Sequence, residues 1–309
     1  MRLNMEVDMQ DLKSKILELR KEQNAVLLAH NYQIPEIQNI ADYLGDSLEL
    51  SKISKDLKEN TIVFCGVKFM AETAKILSPK KKVLLPVMEA GCPLADMINV
   101  EDLIELKGNH PDAWVVSYVN SSAEIKALSD VCCTSANAIN VVRNVPVKKI
   151  IFVPDKNLGW WVQKNVPEKE IILWQGYCLV HEQFSIDDLM LVRKFHPTAE
   201  VITHPECPHD VLEKSDFVLS TAGMLKRVKD STSKKFVIGT EEGLIYRLKK
   251  ENPEKYFYSL GSARTCLNMK KTKLEDVYNA LAKGQYVVEL NLEIMEKAKL
   301  ALERMVSYV

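Results

Sequence analysis

Residues 24–47 read NAVLLAHNYQIPEIQNIADYLGDS, and the chain writes this stretch twice more, as DAWVVSYVNSSAEIKALSDVCCTS over residues 112–135 and TAEVITHPECPHDVLEKSDFVLST over residues 198–221. Each copy opens with an apolar run closed by His30, Tyr118 or His204. Asp42, Asp130 and Asp216 stand 12 residues beyond that position, and Ser47, Ser135 and Thr221 stand 17 beyond it, so the copies are offset by 88 and then 86 residues. A register kept at so many positions marks a repeated supersecondary unit.

The match extends both ways. Upstream of the copies lie MQDLKSKILELRKEQ, VEDLIELKGNHP and IDDLMLVRKFHP, whose apolar residues recur at the three- and four-residue spacing of amphipathic helices. Downstream come TIVFCG, KIIFVP and KFVIGT, then KVLLP, EIILW and YFYSL, short runs with the composition of buried strands. Strands alternating with helices imply an α/β fold of three-layer αβα units, each with a four-stranded parallel sheet. The expected units are residues 1–92, 93–178 and 179–269. The tail, residues 270–309, resembles the first helix of a fourth unit followed by one last helix, and is expected to pack back on the first unit.

In open parallel sheets ligands bind beyond the carboxyl ends of the strands, and the polar residues of the repeat fall there. First strands end in His30 and Tyr32, Tyr118 and Asn120, and His204 and Glu206; second strands lead to Ser47, Ser135 and Thr221; fourth strands lead to Cys92, Cys178 and Cys266, themselves offset by 86 and 88. If three units surround a pseudo-threefold axis, these positions converge on one cavity. Three thiolates are one short of a closed tetrahedral site but can hold a [4Fe-4S] cluster whose fourth iron lacks a protein ligand. Zinc is the competing metal, because Cys178 with His181 and His204 with Cys207 have ligand-like spacing. The three hydroxyls are either helix caps or donors to a substrate anion at a helix N-terminus. His30, Tyr118, His204 and Glu206 are the proton-transfer candidates, with Glu206 beside His204 the preferred base.

Composition narrows the function further. Among 309 residues, 41 Lys and Arg balance 42 Asp and Glu, so a net charge of -1 gives no general attraction to nucleic acid or to an acidic membrane. No apolar run approaches a membrane span, and the opening MRLNMEVDMQDLK is acidic where a signal peptide would be apolar, so a cytoplasmic protein is expected. Seven cysteines with no Cys-x-x-Cys pair argue against a disulfide framework. No Walker sequence or GxGxxG fingerprint supports a nucleotide. A non-catalytic iron-sulfur sensor is the alternative to an enzyme, and it would have no use for Glu206, Tyr118 or the strand-end hydroxyls.

LAHNYQIPEIQNIADYLGDSLELSK, GVKFMAETAKIL, GCPLAD, YVNSSAEIKALSDVCCTSANA, VPDKNLG, THPECP, IGTEEGL and CLNMKK together resemble the quinolinate synthase family of de novo NAD biosynthesis. The resemblance spans residues 26–269. It implies three αβα domains related by pseudo-threefold symmetry around a [4Fe-4S] cluster held by Cys92, Cys178 and Cys266. It also implies condensation of iminoaspartate with dihydroxyacetone phosphate to quinolinate, at a site lined by His30, Tyr32, Ser47, Tyr118, Asn120, Ser135, His204, Glu206 and Thr221. An aspartate oxidase or aspartate dehydrogenase would be the functional partner supplying iminoaspartate. SARTCLNMKK lacks the Cys-x-x-Cys-x-x-Cys run of some longer members, so no regulatory disulfide is expected there, and Leu179 follows Cys178 where many members have Pro.

Overall fold

The computed structural model describes residues 2–308, with side chains from Gln10 onward. The first eight elements are α1 (Arg2–Glu22), β1 (Ala25–His30), α2 (Pro35–Gln38), β2 (Tyr43–Gly45), α3 (Ser47–Asp56), β3 (Thr61–Cys65), α4 (Lys68–Leu77) and β4 (Lys82–Leu84). The next eight are α5 (Val100–Asn109), β5 (Trp114–Tyr118), α6 (Ala123–Ala127), β6 (Val131–Cys133), α7 (Ala138–Asn144), β7 (Lys149–Val153), α8 (Lys156–Asn165) and β8 (Glu170–Leu173). Then follow α9 (Ile186–Phe195), β9 (Glu200–Thr203), α10 (His209–Lys214), β10 (Phe217–Val218), α11 (Thr221–Asp230), β11 (Lys235–Gly239), α12 (Gly243–Glu251) and β12 (Tyr256–Ser259). Two helices close the chain, α13 (Leu274–Lys283) and α14 (Leu292–Ser307).

The three sheets have one topology. Their strand orders are β2-β1-β3-β4, β6-β5-β7-β8 and β10-β9-β11-β12, with every pairing parallel. The expected three αβα sheets are present. By contact the chain falls into two compact units, Met1–Cys92 with Leu267–Asn291, and Pro93–Cys266 with Leu292–Val309.

The repeated aspartates explain why the register is kept. Asp42 accepts from the Leu27 amide (2.9 Å), Asp130 from Val115 (2.8 Å) and Asp216 from Val201 (2.7 Å). The amide of each aspartate in turn donates to the carbonyl of that same residue. The aspartate thus satisfies the amide near the start of each central strand where the short neighbouring strand has not yet begun. Three lysines repeat the device at the other side of the sheet: Lys81 reaches the carbonyls of Leu57 and Glu59, Lys169 those of Val145 and Val147, and Lys255 those of Val228 and Ser231.

Asp216 is also clasped by both terminal nitrogens of Arg193, each at 2.8 Å. Partial burial works against its charge, but the bonds from Arg193 and the Val201 amide prevail and hold its carboxyl below the ordinary value. Asp216→Ala should therefore lower the unfolding free energy by about 1–3 kcal/mol, the range for a charge-assisted hydrogen bond and an orphaned amide. Because the folded-state value is depressed, this contribution is complete at neutral pH and disappears as pH falls below roughly 4. Chemical denaturation across pH should show a gap between native and variant that narrows in acid; a gap that stays constant or widens would count against the bond.

In the first unit, Ile16, Leu27, Ala29, Ile37 and Val63 form a core with Leu274, Val277, Ala280 and Leu281 of α13. The chain then runs back along β4, where the Val288 amide donates to the Val83 carbonyl. The last helix departs from expectation. It does not join the first unit: α14 packs on α6 and β6, burying Met295, Ala298, Ala301, Leu302 and Met305. The reason is local. β6 is an edge strand of the second sheet, and the apolar face of α14 covers it together with the five-residue α6. Arg304 donates to the Asp130 carbonyl and Asn137 to the Met305 carbonyl, fixing the helix there.

Candidate functional site

His30 ends β1 and Tyr32 follows it; both are buried, with rings edge to face at 4.5 Å. The Tyr32 amide donates to Nδ1 of His30 at 3.2 Å. The same turn recurs after β9, where the Glu206 amide donates to Nδ1 of His204 at 3.4 Å. The sequence repeat therefore reproduces side-chain aim as well as backbone.

Glu206 is the centre of the site in the second unit. It is buried, and Oε1 accepts from the Tyr118 hydroxyl at 2.7 Å and from Asn120 Nδ2 at 3.5 Å. Oε2 lies 2.7 Å from Nδ1 of His181 and 3.7 Å from Nδ1 of His204. Tyr118 and Asn120 from the end of β5 thus meet Glu206, and through it His204, from the end of β9. Burial would raise the Glu206 carboxyl, but the charges of His204 and His181 and the bonds from His181 and Tyr118 outweigh it and hold the group well below the usual carboxylate range. Glu206 is ionised at neutral pH.

A second buried carboxyl, Asp155, is shifted in the opposite direction. Asp155 caps α8 by accepting the Leu158 amide at 2.7 Å, while its Oδ2 has no hydrogen-bond partner. Burial, then the neighbouring Glu206 charge, push it well above the usual range against the two backbone bonds it accepts. Asn157 of the same helix end donates to the Glu206 carbonyl at 3.1 Å and to Glu182 at 2.6 Å, and Lys156 donates to Glu182 at 2.7 Å.

The seven cysteines sort into two kinds. Cys65, Cys132, Cys133 and Cys207 are buried, whereas Cys92, Cys178 and Cys266, in the loops after β4, β8 and β12, are half-exposed. Burial pushes Cys65 and Cys132 up to about 12, and Cys133 and Cys207 well above the ordinary thiol value. They are neutral thiols. Cys207 donates to the Gly239 carbonyl, so the alternative zinc pairing of His204 with Cys207 has no metal-seeking sulfur.

Residues that sequence reasoning left without a role support these loops. Glu241, wholly buried in IGTEEGL, accepts from the Cys266 amide at 3.0 Å and the Gly243 amide at 2.7 Å. Its neighbour Thr240 meets Nε2 of His181 at 2.8 Å, and His181 Nδ1 lies 3.2 Å from the Cys178 sulfur. Gly176 lets the chain into the Cys178 loop pass the Pro154 carbonyl, which an added Cβ would meet at 2.5 Å.

The capping reading of the hydroxyls does not hold. Asp46, not Ser47, caps α3, its own amide donating in return to the Glu49 carboxylate, and Ser220, not Thr221, caps α11. Ser47 and Thr221 are the first residues of their helices, and Ser135 lies in the turn between β6 and α7, whose cap position is Asn137. No described helix is long and apolar enough to cross a membrane.

The model of the family described as quinolinate synthetase A protein matches residues 14–307 of this chain. A quinolinate synthase of Caldicellulosiruptor saccharolyticus is 52% identical over 299 residues, covering 97% of this chain and 99% of its own. One of Clostridium perfringens is 52% identical over 295 residues, covering 96% and 98%, and one of Alkaliphilus metalliredigens is 53% identical over 291, covering 94% and 96%.

Proposed function

The chain belongs to the quinolinate synthetase A protein family, and on that premise we propose that it condenses iminoaspartate with dihydroxyacetone phosphate to give quinolinate, phosphate and two waters. We propose further that Cys92, Cys178 and Cys266 hold a [4Fe-4S] cluster. The observation that carries this is the partition of the thiols: the three cysteines in repeat register are the three that reach solvent, and the four outside it are sealed as neutral thiols. A thiolate is the ligand form, so the donor set suits the group. When bound, such a cluster supplies one iron without a protein ligand, a Lewis acid toward a substrate hydroxyl or carbonyl.

The chain's own residues supply the proton chemistry. Glu206 is ionised, but its low affinity for protons makes it a weak base alone. The proposed acceptor of the proton from the triose carbon is therefore the Glu206–His204 pair acting together. Tyr118, whose hydroxyl donates to Oε1, is the proposed acid that returns a proton to a departing oxygen. Asn120, His30 and Tyr32 complete the lining as donors and wall. The substrates bring two carboxylates and a phosphate to a chain of near-zero net charge, so directed donors must hold them. A cytoplasmic enzyme supplied by an aspartate oxidase or dehydrogenase belongs to the same reading. Anaerobic incubation of the reconstituted chain with both substrates tests it, and quinolinate must form.

Ser47 and Thr221, the first residues of their helices, and Ser135, in the turn before α7, are proposed anion donors. Because Asp46 carries the capping of α3, removing the Ser47 hydroxyl leaves that helix end intact. Ser47→Ala and Ser135→Ala should each raise KM for the triose phosphate several-fold, with iron content unchanged. Identical KM values in both variants would remove the serines from the substrate site.

A further inference from the structure

Three donor atoms of different chemistry face one point in the second unit: Sγ of Cys178, Nδ1 of His181 and Oε2 of Glu206, all within 4.8 Å of one another. His181 is 1% exposed and Glu206 3%, while Cys178 opens to solvent. The remaining polar atom of each buried residue is already occupied. Nε2 of His181 is set against Thr240 Oγ1 at 2.8 Å, and Oε1 of Glu206 accepts from Tyr118 at 2.7 Å. Partners behind the far atoms fix the ring and the carboxylate and turn their near atoms to a common centre, which is how a protein orients metal ligands.

We infer that, when no cluster occupies Cys178, the trio Cys178, His181 and Glu206 binds a single divalent ion of the zinc class. Sulfur, nitrogen and oxygen donors together select zinc, cobalt or ferrous iron over magnesium or calcium. A tetrahedral ion of this kind sets its ligands roughly 3.3–3.7 Å apart. The separations here are 3.2 Å from sulfur to nitrogen and 2.7 Å from nitrogen to oxygen, with sulfur and oxygen within 4.8 Å, so side-chain torsions must open the two nitrogen contacts by under an ångström while keeping sulfur and oxygen on the same centre. The ion replaces the proton between His181 and Glu206 and the one on the thiol. Three protein ligands leave the fourth position open. Since Cys178 cannot serve both, this ion and the proposed cluster exclude each other, and zinc would hold the chain in a cluster-free form. That exclusion rests on the cluster reading; the ion site does not.

The test is cobalt(II) titration of the cluster-free full-length chain, followed by its thiolate-to-metal absorption and then by competition with zinc. One equivalent should bind with the thiolate band present. Cys178→Ala and His181→Gln should weaken binding by about 100-fold or more, and Thr240→Val, which removes the partner behind the ring, by about 10-fold. Cys92→Ala and Cys266→Ala should bind as the native chain does. Undiminished binding in folded His181→Gln, or loss of the band in Cys92→Ala or Cys266→Ala, overturns the site. Equimolar zinc should lower iron uptake on reconstitution of the native chain but not of His181→Gln. If the native chain takes up no iron and sulfide even without zinc, the cluster reading fails while the cobalt result still judges the ion site.

Discussion

Alanine at any one of Cys92, Cys178 or Cys266 should strip most iron and sulfide from the anaerobically reconstituted chain and abolish quinolinate formation. Alanine at Cys65, Cys132, Cys133 or Cys207 should leave a full complement. The contrast follows from chemistry that the structure gives each thiol. Cys65 lies inside β3 and Cys132 and Cys133 inside β6, facing packed apolar surroundings in which a thiolate is strongly disfavoured. Cys207 is likewise sealed, and the charge of Glu206 beside it further opposes ionisation. The three loop cysteines are free of that confinement, and the Cys266 loop has a dedicated support in Glu241. Losing one of three anchors leaves an iron without its thiolate, which no neighbouring buried thiol can replace. Iron and sulfide analysis with the visible spectrum decides the matter. Stoichiometric iron in Cys92→Ala, or its disappearance in Cys207→Ala, would falsify the assignment. An iron without a protein ligand should also make the loaded enzyme sensitive to oxygen.

What the sequence made legible was whatever the fold demands three times. Asp42, Asp130 and Asp216 stand out because one carboxylate in each copy answers the same unsatisfied strand amide. The lysines Lys81, Lys169 and Lys255 repeat with the same offsets, 88 and 86, and do equally regular work. They passed unnoticed because lysine is common on any surface, and nothing local says that its ammonium will tie down carbonyls. Tyr118 and His204 were found by register, but His181 was visible only as the second half of a Cys-x-x-His spacing, since a residue used once leaves no periodic trace. Asp155 and Glu241 were hidden for a related reason: a carboxylate in VPDKNLG or IGTEEGL reads as an ordinary turn residue until burial shows otherwise. The placement of α14 was illegible in principle. Its apolar face announces that the helix is covered, but nothing in its own residues distinguishes the edge strand β6 from the other edges of the three sheets.

Glu206→Gln should reduce turnover by about 10² or more while iron content and the cluster spectrum stay native. The amide preserves size and can still accept the Tyr118 hydroxyl, but it carries no charge, so the Glu206–His204 pair loses the group that accepts or balances the proton. It also presents either a donor or a neutral acceptor to Nδ1 of His181, which now faces a carboxylate oxygen at 2.7 Å. Since His204 and His181 hold the native carboxyl well below its ordinary value, Glu206 is already ionised throughout the neutral range. The native pH profile should then carry no acid limb from this group near neutrality, and the variant's loss should be a nearly constant factor there. Tyr118→Phe removes the donor on the other oxygen, and because both residues act on one carboxylate their effects should fall short of additive. A double variant whose loss equals the product of the two single losses would show that Tyr118 and Glu206 work apart. Near-native turnover in Glu206→Gln would make the buried charge a matter of folding alone.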